Sequence, residues 1–231
     1  MAENNFEVLR VKLVMELSNL FQTVVFIVSK GLVASIYLTI GSFFIGLGLG
    51  SIIAFLQIIV GGITSKILNI IVRILRSIPP ILVLFLIFYG LKINSYEAAI
   101  IGLGLISASY QSQILRGVVE SVIARQFEAA LSIGFSRWEA YIYIVVPQAL
   151  LASIPALLNE FATLLKDTSI AYAIGAKEMF TLAINIANAR MEYAVPLISV
   201  SIIYLAICLF ISSVSNYLVD KLKYIGLGVS W

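Results

Sequence analysis

Two acidic side chains inside an otherwise apolar segment are the first candidates for chemistry in this sequence. Glu160 and Asp167 lie between about residues 149 and 172, where most neighbours are apolar. At 100° per residue on a helix, Thr163 and Asp167 fall within about 60° of Glu160. These three polar side chains therefore form one stripe, and two carboxylates facing one cavity could hold a cationic group.

The depth of Glu160 makes its charge costly. If the helix starts near Ala149, Glu160 lies about 16 Å along it, close to the midplane of a bilayer. A charge at that depth costs several kcal/mol unless it is paired or hydrated. Glu160 could instead pair with Lys166, which points about 120° away on the helical wheel, or with an arginine of a neighbouring span.

A second polar stripe precedes the acidic one in the sequence. Ser107, Tyr110 and Gln111 share one face of a predicted helix. Their hydroxyl and amide groups could donate hydrogen bonds to the α-carboxylate of an amino acid. The alternative is that they hydrogen-bond between helices, which is a common use of such residues within a membrane.

The composition excludes most catalytic chemistry. There is no histidine and one cysteine, Cys208, so histidine-based zinc sites, serine/histidine triads and an intramolecular disulfide are excluded. We find no metal cluster, no nucleophile paired with a base, and no phosphate-binding Gly-rich loop followed by Lys and Ser or Thr. The chain is therefore expected to be non-catalytic and to carry no cofactor or metal of its own. The small net charge of +3, spread over single basic residues, argues against nucleic acid as a partner.

The amount of apolar sequence predicts an all-α integral membrane protein. Of 231 residues, 61% are hydrophobic and 12% charged, and the mean hydropathy is +1.06. A soluble domain of this length does not carry so much apolar surface. We find no internal repeat, so residues 1–231 are expected to form a single transmembrane domain.

Charge-free intervals predict five spans, since about 20 apolar residues cross a bilayer as a helix. A break is expected at Gly61 and Gly62, and a kink or helix start at Pro79 and Pro80. An amphipathic helix over residues 3–20 is expected to lie in the interface before the first span. The intervals that predict the spans are residues 31–65, Ser77–Leu91 (lengthened backwards if Arg73 and Arg76 lie at the headgroups), Ala98–Leu115, about Ala149–Tyr172 and Tyr193–Val219.

An odd number of spans places the two termini on opposite sides. The polar loop at about residues 120–147 follows the third span and shares a side with the carboxyl terminus. Eight basic residues lie on that side against six on the other, which favours a cytoplasmic loop and an outer amino terminus. Lys177, Glu178, Arg190 and Glu192 then flank the last connection on the outer side, either hydrated at the headgroups or in contact with a partner.

The loop itself predicts two short helices. Glu128 to Ser132 favours a helix, Gly134 is a natural terminator, and Ser136 with Glu139 has the spacing of a capping box. Pro147 is expected to disrupt the second helix where the fourth span begins. Such a loop is either a solvated connection or a docking surface for a partner.

The spacing within this loop resembles that of bacterial ABC importer permeases. Their pattern is Glu-Ala-Ala, three residues, Gly, nine residues, Ile, one residue, and Leu-Pro, and Val146 stands here where Leu is usual. The matching residues are Glu128, Ala129, Ala130, Gly134, Ile144 and Pro147. Further segments resemble the polar amino acid uptake permeases: residues 76–80, 109–117, 147–150 and 164–169.

The resemblance implies a machine with several subunits in a prokaryotic cell membrane. Two permeases, identical or paralogous, would pair, and the loop of each would dock on an ATP-binding subunit that holds ATP and Mg. A solute-binding protein would deliver the substrate on the outer side. The residues expected to couple to the ATPase are Glu128, Ala129, Ala130, Gly134, Ser136, Arg137 and Pro147.

The resemblance also bears on the substrate. The family usually has an uncharged amide at the position of Glu160, so an acid there indicates a basic amino acid such as arginine, lysine or histidine. The alternatives are an importer of the same type for a neutral or acidic amino acid, and an ion-coupled secondary transporter with Glu160 and Asp167 as its ion site.

Overall fold

The computed structural model describes residues 2–224, except for the side chains of residues 2–17 and of residue 125. Within that part the chain is built from α-helices joined by short turns, two π-helical segments and one 3₁₀ segment. The helices are α1 (Ala2–Ile59), α2 (Gly62–Ser77), α3 (Pro80–Leu91), α4 (Ser95–Val122), α5 (Glu128–Ser132), α6 (Arg137–Glu139), α7 (Val146–Asp167), α8 (Met179–Arg190) and α9 (Ala194–Tyr224). The predicted all-α architecture is confirmed.

The first helix is much longer than expected. Helix α1 continues for 58 residues, so residues 3–20 are helical but run directly into the first span. An interfacial helix separate from that span is therefore not confirmed. The helix ends where predicted, because Gly61 and Gly62 have φ values of +60° and +55°, a backbone region in which glycine is favoured.

The second span is broken rather than continuous. Helices α2 and α3 meet at an angle of 96°, since Ile78 and Pro79 adopt extended backbone conformations between them. The helix start at Pro80 is confirmed. Arg73 and Arg76 lie on α2, on the other side of the bend, so the second span includes them only if the bent pair is counted as one span. Helix α3 has 12 residues and is about 18 Å long, too short to cross a core of about 30 Å by itself. Residues 2–224 thus include four helices long and apolar enough to span a membrane, or up to five spans if the bent pair counts as one.

Helix α4 packs against α1 along a face of small residues. It begins at Asn94, whose side chain accepts a hydrogen bond from the Glu97 backbone N–H at 2.9 Å. Gly46 and Gly50 of α1 approach α4 so closely that a Cβ atom on either would meet α4 atoms at 3.0 Å or less. This close approach brings polar side chains of α4 into contact with the backbone of α1.

The fourth and fifth spans pack side by side. Helix α7 continues through the 3₁₀ segment Thr168–Ile174 as one helical run that begins at Arg137, and α9 returns alongside it. The Ser215 hydroxyl donates a 2.9 Å hydrogen bond to the Pro155 carbonyl between these helices. Both spans were predicted.

Helix α8 lies between these spans and was not predicted. Its N-cap, Glu178, is fully buried, so the expected hydrated position on the outer surface is wrong. The carboxylate accepts hydrogen bonds from the backbone N–H groups of Phe180 and Thr181 and from the Tyr204 hydroxyl of α9. Burial raises the pKa of Glu178 above its usual value, and these hydrogen bonds offset only part of that rise. Glu178 therefore joins α8 to α9.

Candidate functional site

The acid predicted near the bilayer midplane is held by a neighbouring helix. The Ser107 hydroxyl of α4 donates a 2.7 Å hydrogen bond to Oε1 of Glu160 on α7. Ser107 is buried and Glu160 is half-buried, and among the described side chains only Oε1 of its two carboxylate oxygens accepts a hydrogen bond. A carboxylate with one oxygen fixed and the other open is suited to bind a cationic group.

Gln111 hydrogen-bonds to Ser107 rather than to Glu160. Its side-chain amide is fully buried and donates hydrogen bonds to the Phe43 carbonyl of α1 at 3.1 Å and to the Ser107 hydroxyl oxygen at 2.9 Å. For Ser107 and Gln111, the structure therefore shows the second alternative, hydrogen bonds between helices.

The remaining residues of the acidic stripe share α7 with Glu160. Asp167 is half-buried, and Thr163 is exposed and donates to the Asn159 carbonyl of its own helix at 3.1 Å. Among the described residues the ion pairs are Arg116–Glu120 and Lys223–Asp220, so Glu160 is not paired with Lys166. Asp167 and Arg76 are the charged groups that act electrostatically on Glu160.

Tyr110 lies under a guanidinium group at the edge of the same region. The Arg76 Cζ atom is 4.5 Å from the centroid of the Tyr110 ring, a cation–π geometry. Both residues line a cavity of about 380 Å³ between α2 and α4, to which Arg73, Asn69 and Gln113 also contribute. Glu160, Thr163 and Asp167 do not line this cavity, so the structure brings the positive charge of Arg76 near the acidic stripe of α7 without joining them in one pocket.

The predicted loop has the expected local structure. Gly134 has a φ of +97° after α5, and Ser136 and Glu139 form both hydrogen bonds of a capping box, at 3.3 and 2.8 Å. In the described part of the chain this loop lies at the end of α4 and the start of α7, beside a small core that includes Val122, Val145 and Ala149.

Pro147 acts differently from the prediction. The helix is not broken there, because the π-helical segment Ala140–Val145 joins α6 to α7 and Pro147 falls in the first turn of α7. Pro147 has no N–H to donate to the carbonyl four residues earlier, and its ring would crowd that carbonyl in a regular α-helix. The wider π-helical turn absorbs the irregularity.

The loop presents an apolar surface that the sequence reading missed. Glu128, Ala129 and Arg137 are exposed as expected, but Ala130 is buried against its own chain. The large side chains of Ile133, Trp138, Ile142 and Tyr143 are exposed by 55 to 75%. Such a concentration of apolar and aromatic side chains is typical of a binding surface.

The long apolar helices, with polar side chains packed between them, define a multi-pass membrane protein. Residues 46–224 match the family described as the inner membrane component of binding-protein-dependent transport systems. The chain belongs to this family, which confirms the resemblance to ABC importer permeases. The ion-coupled secondary transporter is therefore rejected.

Individual relatives agree with this assignment. The chain is 40% identical over 137 residues to a probable amino-acid permease of Bacillus subtilis, over 56% of this chain and 61% of that protein, so the match spans less than two thirds of that relative. It is 31% identical over 202 residues to the L-cystine transport system permease of Bacillus subtilis, covering 85% of this chain and 86% of that protein. Relatives at 28% identity include an arginine permease of Bacillus subtilis and a glutamine permease of Escherichia coli.

A solved structure shares the fold. A chain from the crystal structure of an amino acid ABC transporter with histidines superposes with a TM-score of 0.76 at 28% identity, covering 83% of this chain and 91% of that chain.

Proposed function

We propose that this chain forms the translocation pathway of an ATP-driven amino acid importer and that its substrate is a basic amino acid. The observation that carries the substrate assignment is the half-buried Glu160 carboxylate, which accepts a hydrogen bond from Ser107 and has no ion-pair partner among the side chains that the structure describes. A carboxylate in that position is stabilised by a cationic ligand.

A basic amino acid carries charges of both signs, and the site offers both. Glu160 and Asp167 supply negative charge for the cationic side chain, with Thr163 beside them on α7. Arg76, stacked on Tyr110, supplies positive charge for the α-carboxylate. Complementary charges at two ends of one ligand give orientation as well as affinity.

The loop supports a coupling role toward an ATPase. Ile133, Trp138, Ile142 and Tyr143 are exposed, and Gly134 sets a sharp turn between two helices that join α4 to α7. We place an ATP-binding subunit on this surface, with ATP and Mg held by that subunit and none by this chain. Glu128, Ala129, Ser136, Arg137 and the turn near Pro147 shape or line the surface.

The remaining partners follow from the family. A second permease, a solute-binding protein on the opposite side and a prokaryotic cell membrane complete the proposed assembly. In this arrangement the loop and the carboxyl terminus face the cytoplasm and the amino terminus faces outward.

The competing substrate class is a neutral or acidic polar amino acid, because relatives at similar identity are named for cystine, arginine and glutamine. The deciding assay is equilibrium binding of radiolabelled arginine to the purified permease–ATPase complex without binding protein, with lysine and glutamine as competitors. Omitting the binding protein confines selectivity to the permease.

We expect Glu160→Gln to weaken arginine binding about tenfold, equal to about 1.4 kcal/mol, and to leave competition by glutamine unchanged. Glu192→Gln, which alters an exposed acid after α8, is the matched control. Unchanged affinity for arginine and unchanged selectivity over glutamine in Glu160→Gln would reject the proposed substrate.

A further inference from the structure

Ser107 behaves unlike the serines that follow it on α4. Ser109 and Ser112 donate their hydroxyl hydrogens to carbonyls one turn earlier in their own helix, those of Ile106 and Ser109, as serines in helices commonly do. Ser107 donates instead across to Glu160 at 2.7 Å. A serine hydroxyl has one hydrogen, so its choice of acceptor decides whether Glu160 is supported.

Gln111 directs that choice. It lies one turn after Ser107 and donates from Nε2 to the Ser107 hydroxyl oxygen at 2.9 Å. With an amide donor occupying that oxygen, the Ser107 hydrogen turns toward Glu160. Gln111 is fully buried and therefore acts on a substrate only through Ser107.

The backbone of α1 in turn orients Gln111. Nε2 also donates to the Phe43 carbonyl at 3.1 Å, and the opposite orientation of the amide would place Oε1 against this carbonyl, acceptor facing acceptor. Gly46 leaves the space that the amide occupies, since a Cβ there would lie 2.7 Å from Nε2. Gln111 thus starts a directed chain of hydrogen bonds, in which it donates to Ser107 and Ser107 donates to Glu160. The Phe43 carbonyl, which also accepts from Gln111, anchors this chain on α1.

We propose that Gln111 is a positioning residue for cation recognition. It holds the Ser107 hydroxyl as a donor to Oε1 of Glu160 and so keeps the other carboxylate oxygen directed at a cationic amino acid. This inference rests on the proposed function, in which Glu160 binds the cationic side chain.

The test compares Ser107→Ala, Gln111→Met and the double variant in the arginine-binding assay described above. Each single change is expected to weaken arginine binding about five- to tenfold and to leave glutamine competition unchanged. The double variant is expected to be no weaker than Ser107→Ala, because Gln111 acts through Ser107 and the two effects are not additive. Ser112→Ala, which removes a buried hydroxyl bonded only to its own helix, is expected to match the unmodified chain.

The outcomes separate the two proposals. If Glu160→Gln weakens arginine binding but Ser107→Ala does not, the positioning role is wrong while the substrate assignment stands. If the losses of the two single variants multiply, Gln111 and Ser107 act independently and the directed chain is wrong. Equal weakening of arginine and glutamine by Gln111→Met would show a general packing role. If Gln111→Met does not assemble, Gly46→Ala tests Gln111 instead, because its Cβ would lie 2.7 Å from Nε2 of that amide; unchanged arginine binding in Gly46→Ala would then reject the positioning role.

Discussion

Three glycines on α1 allow the packing against α4 to be tested within one turn and a half of helix. Gly46 and Gly50 face α4, whereas a Cβ on Gly48 meets nothing within 4 Å. At Gly50 the added Cβ would lie 3.0 Å from the Ala108 carbonyl oxygen and 3.1 Å from the Ser112 backbone nitrogen. Backbone atoms cannot rotate away as a side chain can, so α1 and α4 must separate.

The magnitude follows from two opposing effects. Overpacking a well-packed interior costs about 1 to 3 kcal/mol, and replacing glycine by alanine within a helix gains up to about 1 kcal/mol. Gly50→Ala should therefore lose up to about 2 kcal/mol of stability, whereas Gly48→Ala should be neutral or slightly stabilising. At about 2 to 4 °C per kcal/mol for a chain of this size, Gly50→Ala should lower Tm by up to about 8 °C.

The assay is thermal unfolding of the purified permease–ATPase complex in detergent, followed by the loss of its monodisperse gel-filtration peak. Gly46→Ala should also affect binding, because its Cβ would displace the Gln111 amide. We expect it to weaken arginine binding more than Gly50→Ala does at equal loss of Tm. A Gly48→Ala variant that loses as much stability as Gly50→Ala would refute the assignment of the α1 face that meets α4.

Two further changes test the loop and the unexpected helix. Gly134→Val introduces a β-branched residue at a φ of +97°, with a strain of about 1 to 3 kcal/mol, and should reduce both co-purification of the ATPase and ATP-dependent uptake. Gly117→Ala, at an open position of α4, is the control. Normal co-purification and uptake in Gly134→Val would contradict the docking role. Glu178→Ala removes the N-cap of α8 and the acceptor for Tyr204, so at about 3 kcal/mol it should lower Tm by about 6 to 12 °C. The control is Glu192→Ala, at an exposed acid, which should leave Tm unchanged. An equal fall in Tm in the Glu178→Ala and Glu192→Ala variants would show that the buried contacts of Glu178 do not stabilise the fold.

The sequence predicted most of the spans because long charge-free segments follow directly from the thickness of a bilayer. It missed α8 because the segment is flanked by Lys177, Glu178 and Arg190, so polarity favoured a hydrated connection. The buried Ala183 and Ala187 are four residues apart and were the available signal for a packed helix. Glutamate is not among the preferred N-cap residues, so the N-cap role of Glu178 could not be predicted from the sequence.

The bend between α2 and α3 shows a different limit. Pro79 and Pro80 identified the break but not its 96° angle. Beyond the bend, α3 packs on α4 through contacts distant in sequence, such as that of Leu84 with Gly102. Likewise the polar residues near the centre of the bundle were identifiable by type. Whether Gln111 touches a substrate or supports Ser107 depends on the position of the Phe43 carbonyl, and that position is set by the packing of α1.

The loop and the candidate substrate site belong to one helical run, which suits the coupling role proposed for the loop. The run from Arg137 to Ile174 includes both the capped start of the loop helix and Glu160, a separation of 23 residues or about 35 Å along the axis. It has two points at which the regular hydrogen-bond ladder is altered, the π-helical segment Ala140–Val145 and Pro155. If a partner displaces Trp138, as we propose, the continuous helix would carry the displacement toward Glu160, with bending expected at those two points rather than at the site itself.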